Sequence, residues 1–166
     1  MNIVLIGYRG TGKSTVGKVL AARLGRECLS TDAEIVCREQ RTISEIVAQR
    51  GWDYFRDVES DVCRVLAERD LLVIDTGGGA ILRPQNVEAL RRNGKLFWLT
   101  ATVETITSRI GGETHRPSLT GTKSFVEEVQ EVLRDRIPKY QAAADHIIQT
   151  DGRSIQQLTE TILALV

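Results

Sequence analysis

Gly7-Tyr8-Arg9-Gly10-Thr11-Gly12-Lys13-Ser14 matches the pattern G-x-x-x-x-G-K-[ST], and this match decides how the chain is read. Glycines let the backbone curl until successive N–H groups point inward at phosphate oxygens. A helix opening near Lys13 adds its N-terminal dipole and its free N–H groups. Gly10, Thr11, Gly12, Lys13, Ser14 and Thr15 are therefore the candidates for holding the phosphates of ATP. Lys13 sets a positive charge against the β- and γ-phosphates, and the Ser14 hydroxyl is a ligand for Mg2+.

Outward from the loop, strand and helix patterns alternate. Ile3-Val4-Leu5-Ile6 is a continuous apolar run, as expected of a strand buried on both faces. Val16, Val19, Leu20 and Leu24 then recur at helical spacing. Cys28-Leu29-Ser30-Thr31 is a weaker strand, and Thr42-Ile43-Ser44-Glu45 has the spacing of a capping box that opens a helix. A further amphipathic stretch covers residues 54–67. Leu71-Leu72-Val73-Ile74 and Leu96-Phe97-Trp98-Leu99 read as buried strands. Pro84 and Gly94 bracket a helix between them. Helices are predicted over 103–110 and 125–142, a last strand at His146-Ile147-Ile148, and a final helix capped by Ser154 and Gln157. This alternation implies parallel strands with helices on both faces, in one domain spanning residues 1–166. Residues 111–123 lose periodicity and are the candidate for a lid over the site.

Composition narrows the function. Twenty-two basic and 22 acidic residues cancel, which argues against a broad nucleic-acid surface. No apolar run approaches the roughly 20 residues of a membrane helix. The first residues run straight into the glycine loop, unlike a signal peptide, so a cytoplasmic protein is expected. Cys28, Cys37 and Cys63 form no C-x-x-C pair, and His115 and His146 have no partner at ligand spacing, so neither a disulfide framework nor a zinc site is expected.

Ligands of an open parallel sheet bind beyond the carboxyl ends of its strands. Ser30-Thr31-Asp32, Asp75-Thr76-Gly77-Gly78-Gly79 and Thr100 stand at such ends. Asp32 can orient or deprotonate an attacking hydroxyl. The combination is more telling than any part. A Walker loop, an Asp after the second strand, Phe55-Arg56-Asp57-Val58-Glu59, the triple glycine and Arg116-Pro117-Ser118-Leu119 follow in one order. In this the chain resembles the shikimate kinases along essentially its whole length. The resemblance implies a three-layer α/β/α P-loop kinase fold with a five-stranded parallel sheet, acting as a monomer. It implies transfer of the γ-phosphoryl of MgATP to a hydroxyl of shikimate, a step of chorismate and aromatic amino-acid synthesis. It also implies roles: Asp32 as the base on the acceptor, Arg56 and Arg136 on its carboxylate, and Gly77, Gly78 and Gly79 lining its pocket, with backbone N–H groups from the last two. Arg116 is the implied lid arginine, and Arg109 and Arg153 flank the adenine. A planar guanidinium suits a carboxylate through two parallel hydrogen bonds.

Three positions depart from the family pattern. Ser30 stands where an acid usually helps hold Mg2+, and Asp75 stands where a small residue is usual. An exchange of roles between the two is expected, leaving Ser14 and Asp75 as the metal ligands. Trp52 follows Gly51 where Glu is common, and either packs against the acceptor-binding helices or fills a core gap. Two other readings stay open: a related kinase acting on a sugar acid or a nucleotide, and a nucleotide-binding regulator without catalysis.

Overall fold

Asn2–Ile6 forms β1, the middle strand of the sheet, with all five residues buried. In the computed structural model, which describes residues 1–111 and 124–166, β2 (Glu27–Ser30), β3 (Leu72–Asp75), β4 (Gly94–Thr100) and β5 (His146–Gln149) complete the sheet. The order is β2-β3-β1-β4-β5, and every pairing is parallel. The proposed lid, with Arg116, lies outside the described residues except for Gly111.

The apolar run of β1 is continuous because its alternate residues serve two cores. Ile3 and Leu5 pack with Val73, Phe97 and Leu99 against α1 (Lys13–Leu24) and α7 (Ile155–Leu163). Val4 and Ile6 pack with Ile74, Leu96 and Trp98 on the opposite face. There they meet α2 (Thr31–Glu39), α3 (Ile43–Ala67), α4 (Pro84–Arg92) and α6 (Phe125–Ala143). A two-residue side-chain period thus fills both outer layers of an α/β/α sandwich. A third, smaller cluster joins Tyr8 to Ile106 and Ile110 of α5 (Val103–Ile110) and to Val129 and Leu133 of α6. Among the described residues no helix is long and apolar enough to cross a membrane.

Caps set the helix boundaries. Thr42, Ser124 and Ser154 open α3, α6 and α7 with reciprocal capping boxes. The two helical stretches expected on either side of Gly51 both form and meet within α3 at Gly51, whose φ 83° and ψ 170° are not helical. Among the boundaries that differ from expectation, two have a local cause. Thr31 begins α2 rather than ending β2, because the Ser30 hydroxyl accepts the Ala33 N–H as an N-cap. Leu71 is not part of β3. It lies before the strand at φ 59°, with its side chain 55% exposed.

A leucine in the left-handed region is strained by its Cβ, at about 1–2 kcal/mol. Leu71→Asn, which tolerates this conformation, should therefore raise unfolding stability by roughly 0.5–1 kcal/mol. Urea unfolding of the two proteins reads this directly, and a less stable Asn variant would show that Leu71 packs more than its exposure indicates.

Candidate active site

The strand ends of β1, β2 and β3 face one cleft of about 840 Å3, lined by Arg9, Gly10, Gly12, Lys13, Ser14, Thr15, Ser30, Asp32, Asp75, Thr76 and Gly78. The phosphate loop crosses its floor. Gly12 caps α1 at φ 92°, and Lys13 begins the helix. The Lys13 ammonium is nearly buried and donates from Nζ to the Tyr8 carbonyl at 3.0 Å, which holds its charge over the loop. The buried Thr11 hydroxyl donates to the same carbonyl at 2.8 Å. Thr11 therefore supports the loop with its side chain and offers a ligand only its backbone.

Ser14 and Asp75 meet directly: Oγ donates to Oδ2 at 2.5 Å, a charge-assisted hydrogen bond. Ser30 pairs with Asp75 across β2 and β3. Paired residues of parallel strands point to the same face. The serine and the aspartate that depart from the family pattern are thus adjacent, at one spot beside the phosphate loop. A hydroxyl and a carboxylate are the hard oxygen donors that suit Mg2+, which keeps several ligands from water and phosphate.

A second cleft, of about 500 Å3, adjoins the first and is lined by Tyr8, Arg9, Asp32, Trp52, Phe55, Arg56, Glu59 and Arg136, with Ile43 and Gly77, Gly78 and Gly79. Asp32 stands in the first turn of α2, where the helix dipole favours a negative charge. Close approach of side chains favours glycine at 77 and 79. A Cβ on Gly79 would lie 2.3 Å from the Arg56 guanidinium, and one on Gly77 would lie 2.6 Å from Asp32 Oδ1 and 2.9 Å from Glu59 Oε1. The triple glycine therefore lets three charged side chains press against bare backbone. Tyr140, one helical turn after Arg136, fixes that backbone by donating its hydroxyl to the Gly78 carbonyl. Burial pushes the Tyr140 phenol up to about 12, so it remains a donor.

Arg56 and Arg136 come to the same cleft from α3 and α6. Arg56 donates from Nη1 to Glu59 Oε2 at 2.7 Å and lies over the rings of Trp52 and Phe55, 5.4 and 5.2 Å from their centroids. Trp52 thereby gains a definite place: it walls this second cleft and meets Phe55 edge to face. Burial pushes the Glu59 carboxyl up, while Arg56 draws it down. Glu59 Oε1, Tyr8 Oη and Arg9 Nε are buried without hydrogen-bond partners, and all three belong to residues of this cleft. Buried polar atoms are normally paired, so these three point to a polar ligand.

The other candidates are placed less directly. Arg109 donates to the Gly10 carbonyl at 3.1 Å and to Thr150 Oγ1 at 3.2 Å, which ties α5 to the outer side of the loop. Arg153 donates to the Gln149 and Gln157 carbonyls and to Thr161 Oγ1, bonds that secure α7. Neither lines the two clefts. Residues that sequence reasoning missed as site residues are Tyr8, Arg9, Ile43, Phe55, Glu59 and Thr76. For Glu59 a signal existed, since the Arg56–Glu59 spacing is one helical turn, but a solvated pair shows the same spacing.

Comparison with known proteins agrees with this geometry. The sequence model of the family described as shikimate kinase matches residues 9–166. A shikimate kinase of Nitratidesulfovibrio vulgaris is 44% identical over 99% of this chain and 94% of that protein. One of Syntrophus aciditrophicus is 41% identical over 98% of this chain and 89% of that protein. The solved structure of shikimate kinase from Acinetobacter baumannii in complex with shikimate superposes with a TM-score of 0.94 at 36% identity, covering 99% of this chain and 91% of that one. A phosphate-loop motif joined to a second cleft with two arginines, in a chain this similar over its full length, places the protein in the shikimate kinase family.

Proposed function

We propose that the chain transfers the γ-phosphoryl of MgATP to the 3-hydroxyl of shikimate, giving ADP and shikimate 3-phosphate on the route to chorismate and the aromatic amino acids. The observation that carries this reading is the junction of the two clefts: Asp32 and Gly78 line both, so an acceptor gripped by Arg56 and Arg136 presents its far side to the phosphate loop. In the transfer the bond from the γ-phosphorus to its bridging oxygen breaks and one to the acceptor oxygen forms. Asp32 orients the hydroxyl and takes its proton. Lys13 and, by the family pattern, Arg116 stabilise charge on the phosphoryl oxygens. Ser14 and Asp75, which meet through one hydrogen bond, are the side chains that would hold Mg2+, and the ion would supply charge neutralisation at the phosphates. Arg109 and Arg153 stand on the nucleotide side by the same pattern.

The first test is ADP release with MgATP and shikimate, beside sugar acids and nucleoside monophosphates. Saturable turnover on shikimate is expected, and Lys13→Ala should lower it by about 100- to 1,000-fold. Turnover on another acid but not on shikimate would move the acceptor. ATP binding without turnover on any acceptor would favour a regulator.

Arg56→Ala should raise the KM for shikimate about 10- to 100-fold, since it removes a charge-assisted pair and leaves Glu59 buried beside the acceptor. The KM for ATP should change little; equal losses on both substrates would point to a collapsed site instead.

Asp75→Ser should raise the Mg2+ concentration needed for half-maximal rate about 10-fold, and adding Ser30→Asp should lower it again. An unchanged Mg2+ titration in Asp75→Ser would remove Asp75 from the metal site.

A further inference from the structure

Arg9 occupies one of the positions that the phosphate-loop pattern leaves open, yet its side chain is built into the site. It is 15% exposed. The guanidinium carbon lies 5.9 Å from the centroid of the Tyr8 ring and 5.8 Å from that of Phe125. One terminal nitrogen is 3.9 Å from Glu128 Oε1, on a carboxylate only 6% exposed. Two rings and an acid thus hold the fork in one orientation. Its Nε is buried with no hydrogen-bond partner. An arginine cannot discharge an unsatisfied N–H by losing a proton, so such a donor is satisfied only by an acceptor that arrives.

The position shows which acceptor. Arg56 and Arg136 line the acceptor cleft and not the phosphate cleft. Lys13 lines the phosphate cleft and not the acceptor cleft. Arg9 lines both, together with Asp32 and Gly78. Under the reaction assigned above, on which this inference rests, that boundary is where the hydroxyl meets the phosphoryl group. We propose that Arg9 is a further catalytic residue: it contacts the phosphoryl group as it passes to the acceptor and holds the phosphate of the newly formed product. A cation aligned before the reaction, among partly buried groups, stabilises charge that shifts toward the acceptor side. It does not serve as a third anchor for the carboxylate, which lies with the two arginines confined to the acceptor cleft.

The test compares the full-length wild type with Arg9→Met, which keeps an apolar stem between the two rings, and Arg9→Lys, which keeps a charge without the fork. Steady-state rates are measured with MgATP and shikimate. Affinities for shikimate and for shikimate 3-phosphate are measured by calorimetry. Arg9→Met should lower kcat about 30-fold and weaken shikimate 3-phosphate about 10-fold, with shikimate affinity held within about twofold. Arg9→Lys should recover part of kcat. A kcat in Arg9→Met within about twofold of wild type would overturn the proposal. So would equal losses of affinity for shikimate and its 3-phosphate, which would mark a carboxylate anchor. Should Arg9→Met fail to fold, Arg9→Lys decides: reduced kcat with selectively weakened product binding supports the role, and unchanged values for both overturn it. Wild type inactive on shikimate overturns the reaction assignment and this inference together, whereas an active wild type with an unaltered Arg9→Met removes Arg9 alone.

Discussion

The parallel hydrogen-bonded register of β2, β3 and β1 is the constraint on which the site depends. Leu5 pairs with Asp75, and Asp75 pairs with Ser30, so the three strands end at one level. Antiparallel pairing would scatter these ends to opposite edges of the sheet. Because they coincide, the phosphate loop after β1, the Asp75 carboxylate and the start of α2 with Asp32 all open on one cleft. The strands are long enough only to fix this level, at four or five residues each. Their burial between two helical layers makes the register hard to shift, since a slip of one residue would turn each apolar set toward the wrong layer.

On this frame the second cleft concentrates charge among partly buried groups. Arg9, Arg56 and Arg136 face Asp32 and Glu59 within one small volume. With Glu128 beside Arg9, three cations meet three acids, and Arg56 and Arg136 are the two cations confined to this cleft. The geometry is possible because Gly77 and Gly79 leave room for the charged groups to reach the backbone. Tyr140 then holds the intervening carbonyl, and its own ring stacks on Trp98, 5.5 Å between centroids. The glycine turn is thereby tied through α6 to the sheet, so the arginine from α6 and the backbone it approaches keep a fixed relation.

Legibility followed the range of the interactions. Local signals were read well. The capping boxes at Thr42 and Ser154 opened the helices they indicated, and Val103–Ile110 matched its predicted bounds. Where a long-range partner decided, the reading slipped. Leu71 continues an apolar run and so reads as strand, but β3 takes its bounds from pairing with β1 and β2, and Leu71 falls outside. Trp52 was ambiguous because either a core or a cleft would accept an indole. Its contact with Arg56 follows from their i, i+4 spacing on the helix after Gly51, but only packing decides that this helical face turns to a cleft. Arg153 has the right type for a nucleotide contact, and its bonds to Gln149, Gln157 and Thr161 come from packing that no local pattern shows.

By itself the sequence determined the chemistry at the donor end. The phosphate loop is eight consecutive residues, and its function follows from local backbone curvature, one lysine and one hydroxyl, all set within a single strand-loop-helix unit. The alternation of buried strands and amphipathic helices likewise determined a parallel α/β sheet, since side-chain periodicity is a property of neighbours in the chain. The second cleft is a product of tertiary structure. Arg9, Asp32, Arg56, Gly78 and Arg136 span well over a hundred positions, and only the packing of α2, α3 and α6 over one sheet edge brings them into a common cleft. The adjacency of Ser30 and Asp75, and the place of Arg9 between the two clefts, have the same origin. Distances between such residues are fixed by strand register and helix packing, which no pattern along the chain records.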